Sequence, residues 1–204
     1  IDFTLALIGL IVLTPAFLVL VIAIKVDSEG PILFKQKRVG INKTHFNILK
    51  FRTMRIDTPK DTPTHLLENP EQYITRVGKF LRKTSLDELP QIINILCGTM
   101  SIIGPRPALW NQYDLIAERD KYEANDIRPG LTGWAQINGR DELPIGIKAK
   151  LDGEYVQKMS FLFDCKCFFG TIISVLKHDG VIEGGTKELG KDVISTGQVY
   201  MYKK

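Results

Sequence analysis

The sequence predicts a mainly helical α+β fold, with a membrane helix at the N-terminus, a small β-hairpin behind it and several amphipathic helices thereafter. Three observations carry this reading. Phe3 to Ile24 is an uncharged run of 22 residues, 15 of them Leu, Ile, Val or Phe. Two β-prone runs follow, divided by a short turn sequence. Ile74, Val77, Phe80 and Leu81 then recur at helical spacing, and further segments that read as helices follow.

As a helix, the apolar run rises ~1.5 Å per residue and just matches a hydrocarbon core of ~30 Å. Its composition favours insertion by several kcal/mol, on the order of 0.3 to 0.6 per apolar residue. A secretory signal is disfavoured, because the run is too long, has no basic residues ahead of it and no small-residue cleavage site behind it. The chain starts at Ile1 rather than Met, so further residues are expected ahead of it. Pro15 lies near the centre and cannot donate to the Ile11 carbonyl, which predicts a helix break that the Thr14 hydroxyl relieves. Residue physics favours a kinked span over a turn back, since membrane helices accept Pro.

Ile32–Val39 and Thr44–Phe51, separated by Gly40-Ile41-Asn42-Lys43, read as a hairpin. Thr58–Pro70, with Pro59, Pro63 and Pro70, reads as a loop. Ile74, Val77, Phe80 and Leu81 mark an amphipathic helix. Ser85-Leu86-Asp87-Glu88 fits a capping box and opens a second helix, which Ile92, Ile93, Ile95 and Leu96 continue. Gly104-Pro105-Arg106-Pro107 is a stiff turn projecting one cation. Leu109–Asn125 reads as helix, residues 128–140 as Gly-rich and irregular, and Leu143–Met159 and Phe161–Leu176 as two further helices. Four of the ten Phe fall between positions 161 and 169, which suits either a core or a helix lying in a bilayer interface. Beyond Gly180 the chain reads as a loose polar tail.

Composition excludes several classes. With 44% hydrophobic and 25% charged residues, the chain is neither disordered nor fibrous. Three Cys, two of them Cys165 and Cys167, make a disulfide framework improbable and a reducing compartment the simpler reading. Cys165-x-Cys167 reads as an apolar helix filler rather than a metal ligand or a palmitoylation site. The net charge is +4, yet residues 25–56 alone carry eight basic residues against Asp27 and Glu29. A basic stretch directly after an apolar helix marks the following domain as cytoplasmic. Those cations either touch anionic headgroups or form a merely solvated loop. No nucleic-acid partner is expected.

The chemistry centres on Asp87 and Glu88. There is no nucleotide-binding Gly-rich loop, no nucleophile elbow, no H-E-x-x-H and no C-x-x-C. Asp87 and Glu88 fall in a predicted first helical turn, where the dipole keeps carboxylates ionised. Arg82 and Lys83 precede them and Arg106 follows. Carboxylates in such a place are often plain caps. The sharper reading is an Asp that attacks an electrophilic phosphorus, a Glu that helps hold Mg²⁺, and Arg side chains that bind phosphate oxygens.

Five segments then carry a resemblance over nearly the whole chain. They are Lys50-Phe51-Arg52-Thr53-Met54; Leu81-Arg82-Lys83-Thr84-Ser85-Leu86-Asp87-Glu88-Leu89-Pro90-Gln91; Met100-Ser101-Ile102-Ile103-Gly104-Pro105-Arg106-Pro107; Arg128-Pro129-Gly130-Leu131-Thr132-Gly133; and Gln136-Ile137-Asn138-Gly139-Arg140. The sequence resembles the bacterial sugar transferases, the small monotopic phosphoglycosyl transferases. The resemblance implies that a sugar-1-phosphate passes from a UDP-sugar to undecaprenyl phosphate on the cytoplasmic face of the bacterial inner membrane, releasing UMP and starting a surface glycan. By the same resemblance Asp87 is the nucleophile and Glu88 its partner, the two holding Mg²⁺, and Arg106 binds phosphate. Lys50, Arg82, Gln136 and Asp152 fall on polar positions around the active site, and Trp134 either stacks on uracil or packs.

The resemblance further implies a re-entrant hydrophobic segment, in place of the span that residue physics favoured, with Thr14-Pro15 where the family typically has Ser-Pro. Residues 1–25 then form a re-entrant helix-break-helix, 26–180 a catalytic domain at the interface with interfacial helices around the site, and 181–204 a tail. Absence of the long N-terminal membrane domain of larger members implies a minimal enzyme, with downstream glycosyltransferases as expected partners. The alternatives are a membrane-bound diphosphate hydrolase using the same Asp, and a non-catalytic scaffold for glycan assembly.

Overall fold

A computed structural model describes residues 1–58, 70–139 and 143–177. Pro59 and Pro63 of the expected loop, Arg140 and the tail after Gly180 lie outside the described residues. Helix α1 covers Asp2–Asp27. Strands β1 (Leu33–Val39) and β2 (His45–Phe51) pair antiparallel, with Phe34 opposite Lys50 and Val39 opposite His45. Helices α2 (Arg76–Thr84) and α3 (Gln91–Leu96) follow, joined through a 3-10 turn at Leu86–Glu88. Strand β3 (Ser101–Ile103) pairs parallel with β4 (Gly130–Thr132), and α4 (Tyr113–Asp120) lies between them in the chain. Helices α5 (Trp134–Ile137), α6 (Ile145–Lys158) and α7 (Phe161–Lys177) complete the described fold.

Helix α1 is apolar all round, yet a single stripe of it meets the domain. Ala6 packs with Ile48, Ile95 and Met100, while Leu20 and Ile24 pack with Phe51 and Leu81. Between them, the Phe17 ring lies 5.4 Å from that of Phe51. Both ends are fastened as well: the Ser101 hydroxyl donates to Asp2 Oδ2 (2.7 Å), and the Val77 N–H donates to Asp27 Oδ2 (2.9 Å). The buried Arg52 guanidinium donates to the carbonyls of Ser28 and Glu29, closing the exit from the helix. The opposite face leaves Phe3, Leu7, Ile11, Leu18 and Ile22 exposed.

Four expectations are corrected. Helical geometry continues through Pro15, so this residue sits inside one helix; the Thr14 hydroxyl donates to the Leu10 carbonyl (2.8 Å) rather than to Ile11. A hydroxyl at position i reaches the carbonyl at i−4 most directly. Ser85 does not open a capping box. Its backbone is left-handed (φ 57°), it ends α2 instead, and the Glu88 side chain turns away to cationic partners. The helix expected over Leu109–Asn125 shortens to Tyr113–Asp120, because the Asn125 amide donates to the Ile116 carbonyl and Asp120 Oδ1 and closes the end. Residues 128–139 are ordered rather than irregular: they supply β4 and α5, held by a backbone pairing with β3 that local patterning does not reveal.

Helix α7 divides its aromatic residues. Phe163 and the fully buried Cys167 enter a cluster with Ile103, Tyr155 and Trp134, whereas Phe161, Leu162, Phe168, Phe169, Ile172 and Ile173 stay exposed. The core reading therefore holds for one face of the helix, and the other is an exposed apolar face. Burial pushes the Cys167 thiol up to about 11, consistent with an inert apolar filler.

Candidate active site

Three backbone segments converge on Glu88. Strand alternation puts Lys50 on the same face of β2 as the buried Ile48. Asn94 of α3 grips the free edge of that strand: its Oδ1 accepts the Leu49 N–H (2.9 Å), and its Nδ2 donates to the Asn47 carbonyl (2.9 Å). This clamp carries the turn at Leu86–Glu88 with it, and Lys50 Nζ reaches Glu88 Oε1 at 2.7 Å. Arg106 arrives from the turn after β3. Its guanidinium makes a two-pronged contact with Glu88, Nη2 to Oε1 at 2.5 Å and Nη1 to Oε2 at 3.2 Å.

The Arg106 turn is held by its neighbours. The Gly130 N–H donates to the Pro105 carbonyl (2.9 Å), and Arg38 Nη1 donates to the Pro107 carbonyl (3.0 Å). Space is scarce here: a Cβ on Gly130 would collide with the Gly104 nitrogen, and one on Gly133 with the Gly104 carbonyl. These glycines serve close backbone approach, a steric need rather than a conformational one. Arg82 is set by the same logic. A Cβ on Gly78 would strike the Thr53 carbonyl, so α2 lies tight on that strand exit, and Arg82 Nε donates to Thr53 Oγ1 (2.9 Å).

Asp87 and Glu88 are adjacent, half-buried and electrostatically unlike. Burial opposes ionisation of Glu88, but Arg106 and then Lys50 hold its carboxyl well below the usual carboxylate range. Asp87 makes no hydrogen bond or ion pair among the described residues. Burial raises its carboxyl most, and Glu88 adds to the rise; Lys50, Arg82 and Arg106 pull down without cancelling it, so Asp87 lies above its ordinary value. Ion pairing, rather than the helix dipole, is what holds Glu88 ionised, while burial is the main influence on Asp87.

The structure gathers Lys50, Arg82, Asp87, Glu88 and Arg106, all on positions singled out from sequence. Gln136 sits behind the Arg106 turn beside Gly133, buried, with neither its amide oxygen nor its nitrogen bonded among the described residues. Asp152 is not brought to the cluster. It is buried against Arg119, whose Nε (2.8 Å) and Nη2 (2.6 Å) both donate to Asp152 Oδ2, tying α6 to α4. Trp134 packs: its ring lies 5.0 Å from that of Phe163, its Nε1 donates to Glu154 (3.2 Å), and Lys166 Nζ sits 4.7 Å from the ring centre. Sequence reasoning missed Thr53, Asn94 and Arg119. Thr53 lay inside a quoted segment; the other two had no local signal.

Among the described residues no three His, Cys, Asp or Glu side chains gather to hold a metal. Asp87 and Glu88 alone nevertheless suit Mg²⁺, which takes one or two carboxylates and fills its remaining positions with water and phosphate oxygens. The unbonded Asp87 carboxylate and Glu88 Oε2, with its single 3.2 Å contact, are the oxygens open to it.

The site thus sets a carboxylate unbonded among the described residues next to a cation-anchored one, on a domain strapped to an apolar helix. The chain belongs to the bacterial sugar transferase family, whose sequence pattern matches residues 1–178. It is 39% identical over 179 residues to the UDP-glucose:undecaprenyl-phosphate glucose-1-phosphate transferase of Escherichia coli (strain K12), covering 84% of this chain and 38% of that protein. Against the undecaprenyl-phosphate glucose phosphotransferase of Komagataeibacter xylinus the identity is 38% over 181 residues, covering 84% and 34%. Against the uncharacterized sugar transferase EpsL of Bacillus subtilis (strain 168) it is 39% over 165 residues, covering 81% and 79%. The chain thus spans little more than a third of the first two relatives and about four-fifths of the third.

Proposed function

We propose that this protein is a phosphoglycosyl transferase that moves a sugar-1-phosphate from a UDP-sugar to undecaprenyl phosphate through a covalent Asp87 intermediate. One observation carries the reading: of two adjacent carboxylates, Glu88 is taken up by Arg106 and Lys50, while Asp87 stays unbonded among the described residues and under the influence of the same cations. In the first step an Asp87 oxygen bonds to the phosphorus bearing the sugar. The bond from that phosphorus to the bridging oxygen breaks, and its electron pair leaves with UMP. In the second, an oxygen of undecaprenyl phosphate attacks the same phosphorus and the Asp87 carboxylate is released. Arg106, Lys50 and Arg82 bind diphosphate oxygens, with Glu88 ordering the first two; Gln136 offers an uncharged amide for hydrogen bonding. Asp87 and Glu88 would hold Mg²⁺, which would supply neutralisation of phosphate charge.

Incubation with a panel of UDP-sugars, Mg²⁺ and undecaprenyl phosphate is expected to release UMP for the cognate donor. Without the lipid acceptor, the intact protein gains the mass of one phospho-sugar. UMP release independent of the acceptor marks a hydrolase instead, and normal turnover without an adduct removes the covalent step.

The two fastened ends of α1 support a membrane arrangement. At ~1.5 Å per residue a 26-residue helix is about 39 Å long, and a straight span would leave its ends on opposite faces. Asp2 and Asp27 both bond to the same domain, which supports a re-entrant or in-plane helix with both ends on the cytoplasmic face of the inner membrane. The exposed apolar faces of α1 and α7 lie in lipid. Single Cys residues placed at Ile1 and Val26 are expected to be equally protected from an impermeant thiol reagent added outside intact cells. Labelling at position 1 alone marks a true span.

A further inference from the structure

We propose, resting on the membrane arrangement argued above, that the outer face of α2 is a docking surface for anionic phospholipid headgroups, with Arg76, Lys79 and Lys83 meeting their phosphates around Phe80. The four residues stand at i, i+3, i+4 and i+7, so they share one face of the helix, and all four are exposed. The opposite face is fixed. Leu81 is buried with Leu20, Ile24 and Phe51, Val77 packs against that cluster, and a Cβ on Gly78 would strike the Thr53 carbonyl, so α2 cannot roll. Among the described residues the side chains of Arg76, Lys79 and Lys83 make no hydrogen bond or ion pair. No Asp or Glu occurs from residue 74 to residue 86, although the stretch holds four basic residues. A plainly solvated helix face mixes its signs. Here Arg76 and Lys79 stand three apart and Lys79 and Lys83 four apart, like-charge spacings that destabilise a helix unless an anion from outside offsets them.

The place of α2 in the fold identifies that anion. It lies against the C-terminal half of α1: besides the Leu20 and Ile24 contacts, the Val77 N–H donates to Asp27 Oδ2 at 2.9 Å. On the same half of α1, Leu18, Val19, Ile22 and Val26 are exposed, and Phe80 is 56% exposed among its three cations. An apolar surface bound for lipid and a cationic surface thus sit on adjoining helices, the succession met on passing from acyl chains to headgroups. Long Lys and Arg stems reach phosphates from there, while one aromatic ring enters the boundary layer. A protein partner fits less well, because protein interfaces are depleted in Lys. Docking also bears on the site. Asp87 follows Ser85, the C-cap of α2, by two residues, so α2 seated on headgroups sets the height of that carboxylate above the bilayer.

The test places Phe80→Trp protein in nanodiscs of phosphatidylcholine and phosphatidylglycerol, with a nitroxide quencher high on the acyl chain of one lipid or of the other. Wild-type protein supplies the background from Trp110 and Trp134. Emission of Phe80→Trp is expected to be quenched about twofold to fivefold more when phosphatidylglycerol carries the nitroxide, since one surface cation enriches anionic lipid roughly fivefold. Salt at ~1 M, where the Debye length is ~3 Å, removes the preference. Adding Arg76→Gln, Lys79→Gln and Lys83→Gln removes it too, with Tm in uncharged detergent equal or higher because like charges have gone. If those substitutions lower Tm instead, the salt titration decides in their place. Equal quenching by the two carriers, or a preference that survives both salt and the three substitutions, overturns the inference. Quenching by neither, while an Ile22→Trp control on α1 is quenched, overturns it as well and leaves the face to water or a soluble partner. An Ile22→Trp control beyond reach of both carriers overturns the membrane arrangement and this inference with it.

Discussion

Asp87→Asn is expected to cut UMP release at least about a thousandfold and to abolish the phospho-sugar adduct in intact-mass spectra. An amide oxygen is too poor a nucleophile to open the diphosphate, yet the substitution leaves shape and volume almost unchanged. Binding should survive, because the cations that take the phosphates are set elsewhere: Lys50 by β2, Arg106 by the turn after β3 and Arg82 by Thr53. KM for the UDP-sugar therefore changes little while kcat collapses, the signature of an interaction made in the transition state alone. Tm should hold or rise, since burial already lifts the Asp87 carboxyl above its ordinary value and a neutral isostere removes that desolvation. The same carboxylate sets the acid limb of kcat/KM. Asp87 works as an anion, so activity falls as pH drops through its pKa. Lys50 gives the largest of the pulls that lower that pKa, so Lys50→Met moves the acid limb to higher pH, and Arg82→Met moves it the same way by less. A limb that stays in place in both variants would mean that another group reports the proton.

Arg119→Met is expected to cost about 3–5 kcal/mol of stability, the usual effect of stripping one partner from a buried ion pair. The two side chains are 4% and 1% exposed, and Asp152 Oδ2 receives both Arg119 donors. Burial pushes the Asp152 carboxyl up, with Arg119 the main counterweight. Without Arg119, Asp152 is left in an apolar setting and takes up a proton or drags in water. For a chain of this size the loss amounts to a fall in Tm of roughly 6–20 °C. Arg119→Met combined with Asp152→Leu removes both charges and should recover most of that fall, because replacing a buried pair with apolar residues is often near neutral. Thermal unfolding in detergent reads both variants. Equal stability of Arg119→Met and wild type would show the pair to be open to solvent. Arg119 also lines a small cavity with Pro105 and Pro107, the residues flanking Arg106, so the single variant should weaken diphosphate binding as well.

What was legible in the sequence is what depends on neighbours along the chain. β-prone runs around a turn marked both hairpin strands to within a residue, helical spacing marked α2, and α6 and α7 were read closely as helices. Side-chain period follows from backbone geometry whatever lies opposite. The site residues were legible by another route. Asp87, Glu88, Arg106, Lys50 and Arg82 stood in segments of recognisable order, although nothing local showed that they meet.

Tertiary structure alone decided the rest. Glu88 finds Lys50 at 38 residues' separation and Arg106 at 18, and Asp152 finds Arg119 at 33. Such pairs are chosen by how strands and helices stack, so nothing in the sequence showed that Asp152 is paired with Arg119. The ordering of 128–139 has the same origin, since β4 exists only by pairing with β3, and Gly130 and Gly133 are needed because Gly104 lies against them. Sequence by itself determined the elements, the apolar helix and the chemical types of the cluster. The fold decided which of two neighbouring carboxylates is tied to cations and which is left unbonded among the described residues, because burial and charge act through space and not along the chain.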